Sequence, residues 1–333
     1  MPSILVLGAT GFVGAAVIRA LNSTHPDWPI TAHVRPQSKH VKYLLENVAR
    51  IAEIGDWTEF EAIKNLSSEH DIVINAGNSF TADPVTAAVA GLRQRGVKNG
   101  RKGALIHISG GGNFIDFGTT GAFNPESKVW DDSKVDDIKA IHKDMFNGQS
   151  DTVVLEAGAT GDIDTFIVCP SVVYGRASVE SPGIGVGWQL ITSNAKSLGY
   201  VPYLGDGSAV LSTTHIQDLV SFLVTITGRA ASELDTGSAY ERFYMLETER
   251  VSWKALATTV AAILHREDPA TFRSPEPKRV LEFGDEAGRG EVKHLVAANM
   301  LLTGPRAKSV GFNPTGKSIL EHASEDLKGW GQL

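Results

Sequence analysis

Apolar positions in the first half of the chain come in short, nearly continuous β-branched runs, each followed by a stretch at helical spacing. The runs predict strands at Ile4–Leu7, Ile30–Val34, Ala49–Ile54, Asp71–Ala76, Ala104–Ser109 and Asp164–Cys169. Helical spacing falls between them at Gly14–Asn22, Val41–Val48, Thr58–Leu66 and Pro84–Gln94. Strands that alternate with helices imply an α/β fold, a doubly wound parallel sheet with helices on both faces. In such sheets ligands sit at the carboxyl ends of the strands. After Pro170 the pattern loosens. Gly175–Gly187 is predicted as a loop, His215–Thr227 as a further helix and Arg242–Leu246 as a further strand. The remainder mixes helical segments with Pro/Gly-rich connections at Ser274–Lys278, Gly284–Gly290 and Gly304–Pro305. Residues 1–175 with about 205–247 are therefore assigned to the main domain, and 176–204 with 248–333 to a smaller C-terminal lobe covering the substrate.

The first strand runs straight into Gly8-Ala9-Thr10-Gly11-Phe12-Val13-Gly14. Gly8 allows a tight turn, Gly11 lets the backbone approach a pyrophosphate, and Gly14 lets the helix pack closely on the strand. The helix N-terminus then offers N–H groups to phosphate. This is a Rossmann-type dinucleotide cradle, with Thr10, Phe12 and Val13 as further contacts. The second strand ends at Arg35, followed by Lys39 and His40, where an acidic residue would read the ribose hydroxyl of NAD. Cations there suit the 2′-phosphate of NADP, against the alternative of a solvent-facing loop arginine. Asp56, beside Trp57, is placed to accept from the adenine amino group, or else forms a simple turn. Small residues at Ala76 and Gly77 would let the backbone pass beneath the cofactor.

Composition narrows the function by exclusion. The formal net charge is −7 over 333 residues and no basic stripe stands out, so no nucleic-acid or membrane-surface partner is expected. One cysteine, Cys169, rules out an intrachain disulfide and fits a reducing compartment. Met1-Pro2-Ser3 leads directly into a strand with no basic n-region, and apolar runs fall short of the roughly 20 residues of a membrane span. A cytoplasmic monomer or homodimer with a small-molecule substrate is expected. The ten histidines lack ligand-pair spacing, so no metal is predicted. The acidic stretch Trp130–Asp137 is read as a helix start capped by a Ser133/Asp136 box.

Taken with Gly55-Asp56, Ile74-Asn75-Ala76-Gly77, Cys169-Pro170-Ser171-Val172-Val173-Tyr174-Gly175, His215–Leu219 and Gly311-Phe312-x-Pro314, the glycine spacing resembles the extended short-chain dehydrogenase/reductases. The resemblance spans nearly the whole chain. It implies that Pro170, Val172 and Val173 flank the nicotinamide. It also implies a Tyr-x-x-x-Lys pair on one helix face, the ammonium lowering the phenol's pKa. None of the six tyrosines (43, 174, 200, 203, 240 and 244) has lysine four residues on. Counting back from Pro170 puts those two positions near Asp144 and Gly148, and the serine-like slot reads Ser109-Gly110-Gly111-Gly112. Tyr174, Ser109, and His142 or Asp144 are the candidate substitutes, each against a purely structural role.

The expected activity is an NADP(H)-dependent oxidoreductase acting on a small organic carbonyl or alcohol through a non-standard proton donor. Two alternatives keep the fold: an isomerase, cyclase or lyase with a structural cofactor, and an inactive NADP-responsive regulatory protein.

Overall fold

The structure, a computed structural model, describes the chain apart from residues 37, 39–40, 42–43, 45–46, 54, 57, 118–119, 178–183, 233–236, 283–293, 295–297 and 329–333. Its centre is a seven-stranded sheet: β1 (Ile4–Leu7), β2 (Ile30–Val34), β3 (Arg50–Glu53), β4 (Ile72–Asn75), β5 (Ala104–Ile108), β7 (Asp164–Pro170) and β11 (Phe243–Leu246). The order is β11-β7-β5-β4-β1-β2-β3 and every pairing is parallel. The chain starts at β1, builds outward through β2 and β3, then returns to β1's other side with β4. That reversal opens a crevice beyond β1 and β4, where α/β folds hold ligands.

The strands read as apolar runs because both faces are covered. Ile4 and Val6 join one core with α1 (Phe12–Thr24) and α7 (Ile216–Ala231). Leu5 and Leu7 point the other way, into a core shared with α2 (Phe60–Ser68), α3 (Asp83–Asn99) and α5 (Gly148–Ala159). His215, expected to start its helix, is the N-cap of α7, its ring accepting from the Gln217 N–H.

A third core lies in the lobe. Here β8 (Val172–Tyr174), β10 (Val210–His215) and β12 (Glu249–Ser252) form a small mixed sheet, and β9 (Pro202–Leu204) pairs with β13 (Lys278–Val280). Trp188 of α6 (Val186–Leu198) and Trp253 of α8 (Trp253–Glu267) fill its centre with Ile319 and Ala323 of α10 (Ile319–Asp326). Asp326 fastens α10 in place: its Oδ2 accepts from the Gly175 N–H at 2.7 Å and the Trp188 indole at 2.9 Å.

A clasp joins the lobe to the sheet. β6 (Trp130–Asp131) pairs in parallel with β14 (Leu302–Thr303), and fully buried Asp132 follows. Its carboxylate accepts three backbone N–H bonds, from Arg306 (2.8 Å) and Ala307 (3.0 Å) of α9 (Pro305–Ser309) and from Met245 of β11 (3.1 Å). Burial pushes its pKa up to about 6, against the pull of those donors and of the Arg306 charge.

Several expectations need correction. Ser133 caps no helix: α4 (Val135–Lys139) starts after Lys134 without a side-chain cap, and Ser133 instead donates to Asp131 at 2.6 Å. The side chain two residues back competes for the hydroxyl. Of the segment read as a helix at 41–48, residues 42–43 and 45–46 lie outside the described residues. Helices α5 and α6 and strands β8, β9 and β10 went unread. Val186 begins α6 within what reads as loop.

Candidate cofactor and active site

A cavity of about 1120 Å³ opens at the β1/β4 switch point. Its floor at one end is the glycine turn. Gly8 holds φ +75°, and a Cβ there would lie 2.6 Å from the Gly77 Cα. A Cβ on Gly14 would lie 2.1 Å from the Gly8 carbonyl oxygen, so the helix and the loop meet with no side chain between them. Gly11, the N-cap of α1, makes no side-chain cap bond, so the helix's first N–H groups face the cavity without a competing side-chain oxygen. These features fit a dinucleotide pyrophosphate.

Gly8, Thr10, Gly11, Phe12, Val13, Arg35, Ala76, Gly77, Pro170, Val172 and Val173 all line this cavity. Gly14 lies beneath it, while exposed Asp56 is not part of its lining. Lys39 and Trp57 lie outside the described residues. His33 and Ser38, which the sequence reading passed over, join Arg35 at the end reached by β2.

The opposite end is apolar with one polar corner. Phe80, Ile115, Phe146, Val186, Leu190 and Met300 form the wall. Phe146 stacks with Phe117 at 5.7 Å between ring centres. Met300 reaches in from the lobe, held by backbone bridges to Ile115 and Leu211. A Cβ on Gly111 would lie 2.9 Å from its sulfur, and glycine there gives the thioether room.

Ser109 supplies the polar corner, extending β5 through its N–H bond to Val168. Its Oγ donates at 2.7 Å to Oδ2 of Asp151, a carboxylate with no solvent exposure in the first turn of α5. The Asn113 amide donates to the same oxygen at 2.7 Å. The His107 ring nitrogen Nε2 lies 3.3 Å from Asp151 Oδ1. His107 is itself buried on β5, with the Asn75 amide 3.1 Å from Nδ1 and Ser150 Oγ 3.0 Å from Nε2. An amide N–H directed at Nδ1 leaves the proton on Nε2, where it is given to Ser150 Oγ; among the described residues Asp151 Oδ2 thus receives two donors and Oδ1 receives none. Asn147, one turn before Asp151, lines the cavity and holds its amide to Ser79 Oγ at 2.8 Å and its N–H to Asn113 at 2.6 Å.

On α5 the side chain that bonds Ser109 is Asp151, three residues after Gly148. Asp144 is exposed in the turn before α5. That turn is tight because a Cβ on Gly148 would lie 1.9 Å from the His142 carbonyl oxygen. His142 is also exposed, its ring 3.8 Å from the Asp144 carboxylate, and lies outside the cavity lining. Tyr174 is fully buried in the core of the lobe, its hydroxyl donated to the Lys317 carbonyl at 2.7 Å and its ring edge-on to His215. Burial and the charges of Glu249, Asp218 and Asp326 raise its pKa. Of Tyr174, Ser109, His142 and Asp144, only Ser109 lines the cavity.

A family model described as the NAD-dependent epimerase/dehydratase family matches residues 4–240. The chain belongs to that family. Solved members of the extended short-chain dehydrogenase/reductase fold superpose along its whole length. A UDP-glucose 4-epimerase from Thermotoga maritima, with UDP-glucose, gives a TM-score of 0.64 at 18% identity, covering 99% of each chain. A dTDP-glucose 4,6-dehydratase from Bacillus anthracis, in complex with NAD, gives 0.63 at 13% identity, covering 100% of this chain and 97% of the other. Vestitone reductase from alfalfa gives 0.58 at 16% identity over 100% of both. At these identities the likeness concerns the fold. In sequence, a protein named oxidase ucsJ from Acremonium sp is 25% identical over 273 residues, 78% of this chain and 77% of its own. Membership in this family supports an enzyme with a nicotinamide cofactor. Among the described residues no helix is long and apolar enough to cross a membrane, and no group of metal-ligating side chains is found.

Proposed function

We propose that this family member is an NADP(H)-dependent oxidoreductase acting on a small, largely apolar organic alcohol or carbonyl compound. The observation that carries the reading is the single cavity that runs from the glycine cradle to Ser109 and an apolar wall. Gly8, Thr10, Gly11, Phe12 and Val13 would hold the pyrophosphate, and Arg35 with Ser38 the 2′-phosphate. Ala76, Gly77, Pro170, Val172 and Val173 would flank the rest of the dinucleotide. When bound, the dinucleotide supplies the hydride donor or acceptor, and the protein supplies binding, orientation and a dry cavity. Phe80, Phe146, Leu190 and Met300 would seat an apolar substrate and exclude water. The relative named as an oxidase agrees with redox chemistry.

The test is nicotinamide absorbance during incubation with a panel of apolar alcohols, ketones, aldehydes and enones, using NADP(H) and NAD(H) in parallel. Turnover with preference for the phosphorylated cofactor is expected; tight NADPH binding without turnover of any member would count against the reading. A second reading, an isomerase or lyase with a structural dinucleotide, is favoured by the epimerase and dehydratase among the structural neighbours. It would show as product formed with no net change in that absorbance.

A further inference from the structure

The geometry points to Ser109 as the catalytic group that meets the substrate oxygen, with Asp151 as the proton acceptor acting through it. This inference rests on the proposed redox reading and deepens it, because it fixes which protonation state serves which direction.

Ser109 is the hinge of the argument. Ser109 lines the cavity, and its hydroxyl hydrogen is committed, at 2.7 Å, to a carboxylate with no exposure to solvent. With its hydrogen directed inward, Oγ presents lone pairs to the cavity. It can therefore accept a hydrogen bond from a substrate hydroxyl, whereas donating to a carbonyl would require breaking the Asp151 bond. Asp151 can take a proton only along that bond, since protein surrounds it on all other sides. The remaining neighbours are built for this. Asn113 donates to Oδ2, and on the Oδ1 side the His107 ring lies 3.3 Å away with its Nε2–H committed to Ser150 Oγ. From β7 the buried Cys169 thiol, its pKa raised by burial and by the Asp151 charge, stays neutral. Among the described residues no lysine or arginine faces the carboxylate.

In alcohol oxidation the substrate O–H bond breaks and its proton passes to Ser109 Oγ, while the serine's own proton passes to Asp151 Oδ2. The carbon-bound hydrogen leaves with its electron pair as the hydride already assigned to the oxidised dinucleotide, and the carbon–oxygen double bond forms. Carbonyl reduction is the reverse and needs Asp151 protonated at the start. Oxidation therefore uses the ionised carboxylate and reduction the protonated one.

Two measurements test this, one independent of turnover. Infrared difference spectra of protein carrying ¹³C-carboxyl aspartate, wild type minus Asp151→Asn, isolate the Asp151 band. An ionised band at pH 7 that shifts in Ser109→Ala is expected. A protonated band at pH 7, or one indifferent to Ser109→Ala, overturns the relay whether or not a substrate has been found. With any alcohol the wild type oxidises, Asp151→Asn and Ser109→Ala should lower kcat roughly 100-fold or more. KM and NADP(H) affinity by fluorescence titration should stay within about threefold. Asp151→Glu should restore part of kcat. An Asp151→Asn variant that keeps most of its kcat refutes the assignment. Should Asp151→Asn fail to fold, as judged by its melting curve, the Ser109→Ala spectrum and kinetics decide alone. If the wild type turns over no alcohol or carbonyl, the redox reading fails separately from the spectroscopic result.

Discussion

Removing the Asp132 side chain tests whether the clasp between lobe and sheet holds by the physics assigned to it. In Asp132→Ala the N–H groups of Met245, Arg306 and Ala307 lose their acceptor. Each stranded buried donor costs about 1–3 kcal/mol, so the gross loss is roughly 6 kcal/mol at the middle of that range. The carboxylate itself carries a penalty when ionised. Its folded pKa stands at about 6 against the ordinary 3.8. Folded protein therefore binds more protons than unfolded protein between those values, and wild-type stability from this group falls as pH rises through that window. Two units correspond to roughly 3 kcal/mol, which the alanine variant recovers at pH 7 and not at pH 4. The expected net deficit is thus roughly 3 kcal/mol at neutral pH and roughly 6 kcal/mol near pH 4. With about 2.1 cal/mol/K of unfolding entropy per residue, a 333-residue chain loses roughly 1.4 °C of Tm per kcal/mol. Calorimetry or circular dichroism melts at the two pH values should show the variant lower by about 4 °C and about 8 °C. A deficit that grows with pH, or one below about 1 °C at both, would show that charge burial and the three donors have been weighed wrongly.

Three further outcomes are expected. Gly8→Ala, forced into φ +75° and against Gly77, should lower stability by about 1–3 kcal/mol and NADP(H) affinity by tenfold or more in fluorescence titration. Arg35→Ala should weaken NADPH binding roughly 10- to 100-fold, the worth of a charge-assisted bond, and leave NADH binding nearly unchanged, which parallel titrations will show. Asp326→Ala strands the Gly175 N–H and the Trp188 indole and should cost about 2–6 kcal/mol, read from the denaturant midpoint.

Where the sequence was readable, backbone geometry or two-sided burial was responsible. Gly8, Gly11 and Gly14 announce themselves because no other residue tolerates the contacts at Gly8 and Gly14. The strands of the central sheet read clearly because both faces are dry. By contrast, β10 carries Ser212, Thr213 and Thr214, all buried. Thr214 bonds the Leu246 carbonyl and Ser171, and Ser212 receives the Leu302 N–H, partners far away along the chain. A strand satisfied this way carries no local apolar signature. Asp151 was hidden for the same reason. A carboxylate near a helix N-terminus reads as a surface charge favouring the dipole. Only the return of Ser109 and His107 on β5 shows it to be buried and partnered. Tyr174 lay in the expected segment, but β8 belongs to the lobe sheet and turns the ring into the core of the lobe.

Met300 gives the cavity a place in time as well as in space. The other lining residues among those described all precede residue 191, and Met300 enters through bridges to Ile115 and Leu211 more than a hundred residues later. At ~5–20 residues per second, a ribosome needs on the order of ten seconds to cover that interval. A nascent chain therefore has its phosphate-binding turn long before the last piece of its substrate wall.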